Sequence, residues 1–321
     1  MKFSKRINLI QPSSTMALTS KANELRQKGE DIIVLTVGEP DFDTPKYIKD
    51  SAKTAIDMGK YADGIPVMLE TEYKNNFTID IDKFKSLIND KTKLFMINSP
   101  NNPSGKYYDS KLLNELASVL IDHENIFISS DDIYEHIHWS NEKFHNILNV
   151  SPRLKERTVI LNGVSKAYSM TGWRIGYAAG NKEIIKKMKT LQSQSTSCAS
   201  SISQAAAEAA LSNACLELPE MNRQYKERHD FVVSELNQIK GVECKPTDGT
   251  FYVFPSFKDF INKSEIVSND KELALYILEK SKVAVVPGSA FGIEGHIRIS
   301  IAIDIDSLKA AMERLKNTLA L

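Results

Sequence analysis

Gly163-Val164-Ser165-Lys166-Ala167-Tyr168-Ser169-Met170-Thr171-Gly172-Trp173-Arg174-Ile175-Gly176 sets one lysine eight residues before one arginine, between glycines. Val159, Ile160 and Leu161 lead into the stretch, and Trp173, Ile175 and Tyr177 lead out of it. Both apolar runs read as short buried strands. Lysines ordinarily sit solvated at a protein surface. A lysine in a loop between two core strands is instead placed to lose water, and a desolvated amine is a nucleophile. A guanidinium nearby can grip a phosphate. Together, Lys166 and Arg174 outline a site for a phosphorylated aldehyde. Taken one at a time, a surface lysine and a structural ion-pair arginine fit equally well.

Outward from this stretch, strands and helices alternate. Leu94 to Asn98 reads as a strand, Ser110 to His123 as a helix and Ile126 to Ser130 as a strand. Val159 to Asn162 and Trp173 to Ala178 are expected strands, and Lys182 to Gln192 a helix. Toward the N-terminus, residues 14 to 28 have helical spacing, Ile32 to Val37 is a short strand, and Thr44-Pro45 opens a helix reaching about Gly59 as N-cap and first helical residue. Val67-Met68-Leu69 reads as a strand. The alternation predicts an α/β protein with a mainly parallel sheet. Ser203 to about Leu236 reads as a long helix broken near Pro219. Beyond it lie the strands Gly249 to Phe254, Val283 to Val286 and Ile297 to Ile301, with helices over 270–281 and 305–318. This part is expected to form a smaller α+β domain. The predicted division is a large domain over 44–230, and a small one from 1–43 with 231–321.

Composition narrows the function. The chain has 321 residues, 42% hydrophobic and 26% charged, as in ordinary water-soluble globular proteins. Forty-one basic residues balance 41 acidic ones, so no basic excess points to nucleic acid or an anionic membrane. Met1 to Asn8 shows no apolar stretch of signal-peptide length, and no run reaches the length of a membrane span. Cys198, Cys215 and Cys244 are too few and too scattered for a disulfide framework or a zinc site. The expectation is a reduced cytoplasmic protein with no structural metal.

Four further segments carry chemistry. Asn98-Ser99-Pro100-Asn101-Asn102-Pro103-Ser104-Gly105 follows a buried strand and reads locally as a proline-rich turn. Ser130-Asp131-Asp132-Ile133-Tyr134-Glu135 lies past the carboxyl end of another, where sites form in open α/β sheets. Gly38 lies in a turn, Val37-Gly38-Glu39-Pro40. Gly295-His296-Ile297-Arg298-Ile299-Ser300 sets an arginine on a strand, where it can pair with a carboxylate or a salt-bridge partner. In this order, and over nearly the whole chain, the segments resemble the class-I aminotransferases, most closely the bacterial aspartate and aspartate/prephenate group.

That resemblance implies pyridoxal 5'-phosphate as cofactor and a homodimer. Lys166 is then the lysine that captures the cofactor's aldehyde and moves protons. Asp131 faces the pyridine nitrogen, Asn102 and Tyr134 the phenolic oxygen, and Arg174 the phosphate. Gly38, Asn102 and Arg298 bind the substrate, with Arg298 on its α-carboxylate. Asn102-Pro103 is a cis candidate. The implied reaction is ping-pong transfer of an amino group between an amino acid, aspartate first, and 2-oxoglutarate. A prephenate or aromatic aminotransferase, a lyase on the same fold, and a truncated non-catalytic homologue are the alternatives.

One departure stands out. Only Lys60 to Pro66 separate the helix ending near Gly59 from Val67, where the family carries roughly seventy more residues, a large share of an average domain. That segment holds the family's glycine-rich phosphate loop, a ring-stacking aromatic residue and groups that read the substrate side chain. Either the polypeptide carries a deletion, or a stretch that is disordered without cofactor is left out of the sequence; the second is expected.

Overall fold

The computed structural model describes residues 25–26, 28–34, 64–212 and 217–320. A short strand, β1 (Ile33–Val34), comes first. The central sheet then uses β2 (Leu94–Asn98), β3 (Phe127–Asp131), β4 (Thr158–Gly163) and β5 (Gly176–Gly180), side by side in that order. β2, β3 and β4 run parallel, and β5 returns antiparallel against β4. The α/β class and the mainly parallel sheet are therefore as expected.

Three helices cover one face of this sheet. They are α1 (Ile81–Leu87), α2 (Ser110–Ile121) and α3 (Ile147–Val150), started by the side chains of Asp80, Asp109 and Asn146, which accept hydrogen bonds from backbone N–H groups of the first turn. Phe84 and Leu113, Leu116 and Leu120 of these helices pack on Ile97 and Ile128. Leu94, Met96 and Phe127 belong to the opposite face, as the strand alternation requires, and about half of each is exposed (52, 45 and 51%).

Next come α4 (Lys182–Ser195), α5 (Ser201–Ser212) and α6 (Leu218–Leu236). The break expected near Pro219 is present, with the proline in the first turn of α6. A second core is built on β6 (Tyr252–Val253), α7 (Lys258–Lys263), α8 (Asp270–Ser281), β7 (Val283–Ala284), β8 (Val286–Pro287), β9 (Ile297–Ser300) and α9 (Ile305–Thr318). β7 pairs with β1, whereas β8 and β6 flank β9. The run Val283 to Val286, expected as one strand, thus serves two sheets.

Two expectations fail. Val67-Met68-Leu69 forms no strand; it is irregular, with Val67 and Met68 largely exposed. Trp173 and Ile175 do not begin a core strand. Arg174 takes a left-handed conformation (φ 54°), which breaks extended structure, and β5 starts only at Gly176. Most of the expected N-terminal helix, the helix over 44–59, Gly38 and Cys215 lie outside the described residues. Among the described residues, no helix is long and apolar enough to cross a membrane, and no cluster of His, Cys, Asp or Glu is placed to hold a metal.

Candidate active site

β2, β3 and β4 end at one rim of the sheet, with Asn98 beside Asp131 and Leu161 next in register. β4 runs on into Lys166, so one rim gathers the segments that carried the lysine, the carboxylate and the asparagine. Lys166 is 9% exposed. Its ammonium lies 5.9 Å from the centre of the Phe251 ring. Asp131 feels its charge: burial raises the carboxyl pKa above the ordinary value, while the Ile133 N–H (3.2 Å) and Lys166 pull it back down.

Asn98 braces this rim. Its Nδ2 donates to the Asp131 carbonyl (2.9 Å), and its Oδ1 accepts from the backbone N–H of Asn102 (3.1 Å). The adjoining turn has cis bonds at Ser99-Pro100 and at the expected Asn102-Pro103. Asn102 Oδ1 accepts from Nη1 of Arg298, a residue of the second core, at 3.0 Å. Arg298 is buried, and its guanidinium lies 4.4 Å from the Tyr252 ring and 4.8 Å from the Phe291 ring. Aromatic faces of this kind hold a guanidinium plane in place.

Tyr134 is buried between the two halves. Its ring meets Phe251 at 5.5 Å and Tyr252 at 6.3 Å between centroids. Burial drives its pKa well upward, helped by Tyr252 and opposed by the charge of Arg298. Arg174 is half-buried, with Nη1 donating to the Thr171 carbonyl at 2.8 Å. Lys166, Asp131, Asn102, Tyr134 and Arg298 thus form one connected cluster. Its donor set fits pyridoxal phosphate: a nearly buried amine for the aldehyde, a carboxylate with raised proton affinity for the ring nitrogen, amide and phenol donors for the ring oxygen, and the Arg174 guanidinium for the phosphate.

Sequence reading assigned no role to Asn98, Phe251, Tyr252 or Asp132. Phe251 and Tyr252 were hidden because neighbours on a strand alternate faces, yet both approach Tyr134. Asp132 is buried, with Oδ1 accepting from the Ser130 hydroxyl and Oδ2 from Asn146 Nδ2, each at 2.6 Å. It therefore ties the end of β3 to the cap of α3. Burial lifts its pKa from 3.8 to about 6 despite both hydrogen bonds. A carboxyl that holds its proton more tightly when folded stabilises the fold below pH 4, and that contribution is lost as pH rises through 6. The displacement corresponds to on the order of 3 kcal/mol. Asp132→Asn cannot ionise, so urea unfolding at pH 4 and pH 7 should show the variant gaining by that amount relative to the parent. An unchanged difference at the two pH values removes Asp132 as the source.

The family model for class I and II aminotransferases matches residues 56–315. The aspartate/prephenate aminotransferase of Nitrosomonas europaea is 39% identical over 397 residues, spanning all of both chains. The Bacillus subtilis aspartate aminotransferase is 36% identical over 388 residues, 98% of each. The crystal structure of the aspartate aminotransferase from Rhizobium meliloti superposes with a TM-score of 0.88 at 32% identity, covering 99% of each chain. The first alignment runs over 397 positions against 321 residues, 76 more than the chain has, while covering both chains end to end. The shortfall is therefore internal. With its fold, its lysine-centred site and these likenesses, the chain belongs to the class I and II aminotransferases, which work with pyridoxal phosphate.

Proposed function

We propose that the protein transfers an amino group from aspartate to 2-oxoglutarate by a ping-pong route, using the cluster around Lys166. The observation that carries this is the placement of Lys166, nearly buried beside Asp131 past the carboxyl rim of three parallel strands, the rim whose next turn carries Asn102 and its bond to Arg298. The names of the Nitrosomonas and Bacillus relatives support aspartate as the amino donor.

When bound, pyridoxal phosphate supplies the aldehyde that captures the amino group and the ring that takes up electrons from the α-carbon. The chain's own groups do the rest. Lys166 would hold that aldehyde, and its free amine would take the substrate α-proton and return it to the neighbouring carbon. Asp131 holds a proton on the ring nitrogen, which keeps the ring electron-poor. Asn102 and Tyr134 donate to the ring oxygen. Arg174 would grip the phosphate and Arg298 would orient the substrate α-carboxylate as a planar fork; Gly38, outside the described residues, is proposed for the substrate-binding set on the family resemblance alone. The proposed division into a large domain over 44–230 and a small one from 1–43 and 231–321 assigns Asn102 to the first and Arg298 to the second, so their 3.0 Å hydrogen bond would link the two domains. A cytoplasmic homodimer completes the proposal.

The test is direct. The purified chain with pyridoxal phosphate, aspartate and 2-oxoglutarate should release oxaloacetate and glutamate, with parallel double-reciprocal lines. Prephenate replaces 2-oxoglutarate in a second arm. Binding of the cofactor without amino transfer to any acceptor retires the reading in favour of a shortened, non-catalytic homologue, which the 76-position shortfall makes the relevant rival.

A further inference from the structure

We propose that His229, on α6, is a positioning residue for substrate binding: its Nε2 accepts the backbone N–H of Thr247, and through that bond it holds the loop 247–249 against the turn that carries Asn102. The inference rests on the reading above, in which Arg298, bonded to Asn102, receives the substrate carboxylate.

His229 is 1% exposed, and the Thr247 N–H donates to its Nε2 at 3.0 Å. A backbone N–H can only donate, so this nitrogen carries a lone pair and the ring's single proton sits on Nδ1. Oδ1 of Asp230, 3.0 Å away, accepts that proton's hydrogen bond. The Thr247 hydroxyl, 3.1 Å from Nε2, faces the same lone pair. Burial pushes the imidazole pKa below its ordinary value, against the pull of Asp230, which keeps the ring neutral and Nε2 free to accept. The ring also packs on Trp139, 5.1 Å between centroids.

The loop joins this ring to the Asn102 turn. Trp139 holds it from one side: its Nε1 donates to the Thr247 carbonyl at 2.8 Å and its backbone N–H to the Asp248 carbonyl at 2.9 Å. On the other side the N–H groups of Asp248 and Gly249 both donate to the Gly105 carbonyl, at 3.3 and 3.0 Å, and Lys106 Nζ donates to the Asp248 carboxylate at 3.0 Å. Gly105 has φ 69°, and a Cβ there would meet Thr247 Oγ1 at 2.6 Å, so loop and turn are in direct contact. The turn closes on itself, with the Asn101 N–H on the Lys106 carbonyl (2.9 Å) and the Gly105 N–H on the Asn101 carbonyl (2.8 Å). Asn102 therefore moves with Gly105. Without the imidazole, the buried Thr247 N–H has lost its acceptor, and a donor stranded in that way costs more than the bond it made. The loop shifts to find another acceptor, and the aim of Asn102 at Arg298 shifts with it.

His229→Leu fills the ring's space without an acceptor; His229→Gln brings Oε1 near the place of Nε2. Two constants separate positioning from general packing. The dissociation constant of maleate, a dicarboxylate without an amine, reads the substrate half of the site in chain loaded with pyridoxal phosphate. Half-saturation by pyridoxal phosphate reads the cofactor half, through Lys166 and Arg174. Maleate binding should weaken roughly three- to tenfold in His229→Leu, the weight of about one hydrogen bond, and return to within about twofold of the parent in His229→Gln. Half-saturation by the cofactor should stay within about twofold in both. Should His229→Leu fail to fold, Trp139→Phe removes the donor on the other side of the same loop and should weaken maleate by roughly threefold or more. Maleate bound as tightly as by the parent, both constants weakened together, or a Gln variant as weak as the Leu variant overturns the proposal. A parent chain that takes up the cofactor but binds no maleate overturns the reading of Arg298, and the proposal with it.

Discussion

Lys166→Ala should lose amino transfer, with kcat at least ~10⁴-fold below the parent, because in the proposed mechanism one side chain both captures the aldehyde and moves the proton; positioned acid–base catalysis alone contributes about 10²–10⁴. The surroundings of Lys166 explain why nothing replaces it. The side chain is almost wholly buried, with its ammonium 5.9 Å from the apolar Phe251 ring and its charge felt by Asp131, the residue proposed for the ring nitrogen. Water that enters the space left by the lysine is a far weaker base than an amine. A companion variant controls for charge. Lys166→Arg keeps a cation beside Asp131 but cannot form the link to an aldehyde at neutral pH, since its guanidinium stays protonated. Both variants should therefore fail in single-turnover conversion of aspartate, followed as oxaloacetate released per chain. If Lys166→Arg transfers amino groups within tenfold of the parent, the lysine serves only as a local charge, and the proposed chemistry is wrong.

The parts of this site that were legible in sequence are those whose chemistry is local. Asn98 to Gly105, Ser130 to Tyr134 and Gly163 to Gly176 each lie at or past the end of a strand of the parallel set, and parallel strands deliver their exit loops to one rim. Period-two apolar runs and turn residues mark those places without knowledge of the partner strands. Contacts made across the chain were not legible. Nothing near Tyr134 in sequence announces Tyr252, and nothing near Asn102 announces that Arg298 will donate to it. Local pattern also misled where backbone chirality intervened. Trp173, Ile175 and Tyr177 alternate like a core strand, but left-handed Arg174 ends that pattern, and 43% of Trp173 is exposed.

The sheet face carrying Leu94, Met96 and Phe127 connects the two kinds of information. Three large apolar side chains half-exposed on one face are more than scattered surface hydrophobics. The opposite face is closed by Phe84, Leu113 and Leu116. The alignment with the Nitrosomonas relative runs over 76 more positions than the chain has residues, a shortfall that falls inside the aligned span. The residue types of the exposed face are those of a buried one, and they read as such in sequence because Leu94 to Asn98 is apolar on both sides, the pattern of a strand meant to be covered on both faces.

Arg298→Leu should lower kcat/KM for aspartate by about 10²–10⁴, the loss expected when two charge-assisted hydrogen bonds of ~1.5–3 kcal/mol each are removed. Burial makes the effect large. Arg298 is 1% exposed, held between the Tyr252 and Phe291 rings, and aimed by Asn102, so its orientation is set before substrate arrives. Leucine fits the apolar walls, which keeps the fold intact, but offers no donor to a carboxylate. Lysine restores the charge without the fork and without the flat contact to the rings, so Arg298→Lys should recover less than tenfold of the loss. The decisive comparison uses a primary amine lacking an α-carboxylate as amino donor. The parent should prefer aspartate over it strongly, and Arg298→Leu should bring the two close to parity, because only aspartate loses a partner. A Leu variant that keeps the parent's preference for aspartate would place the carboxylate elsewhere in the site and remove Arg298 from substrate binding.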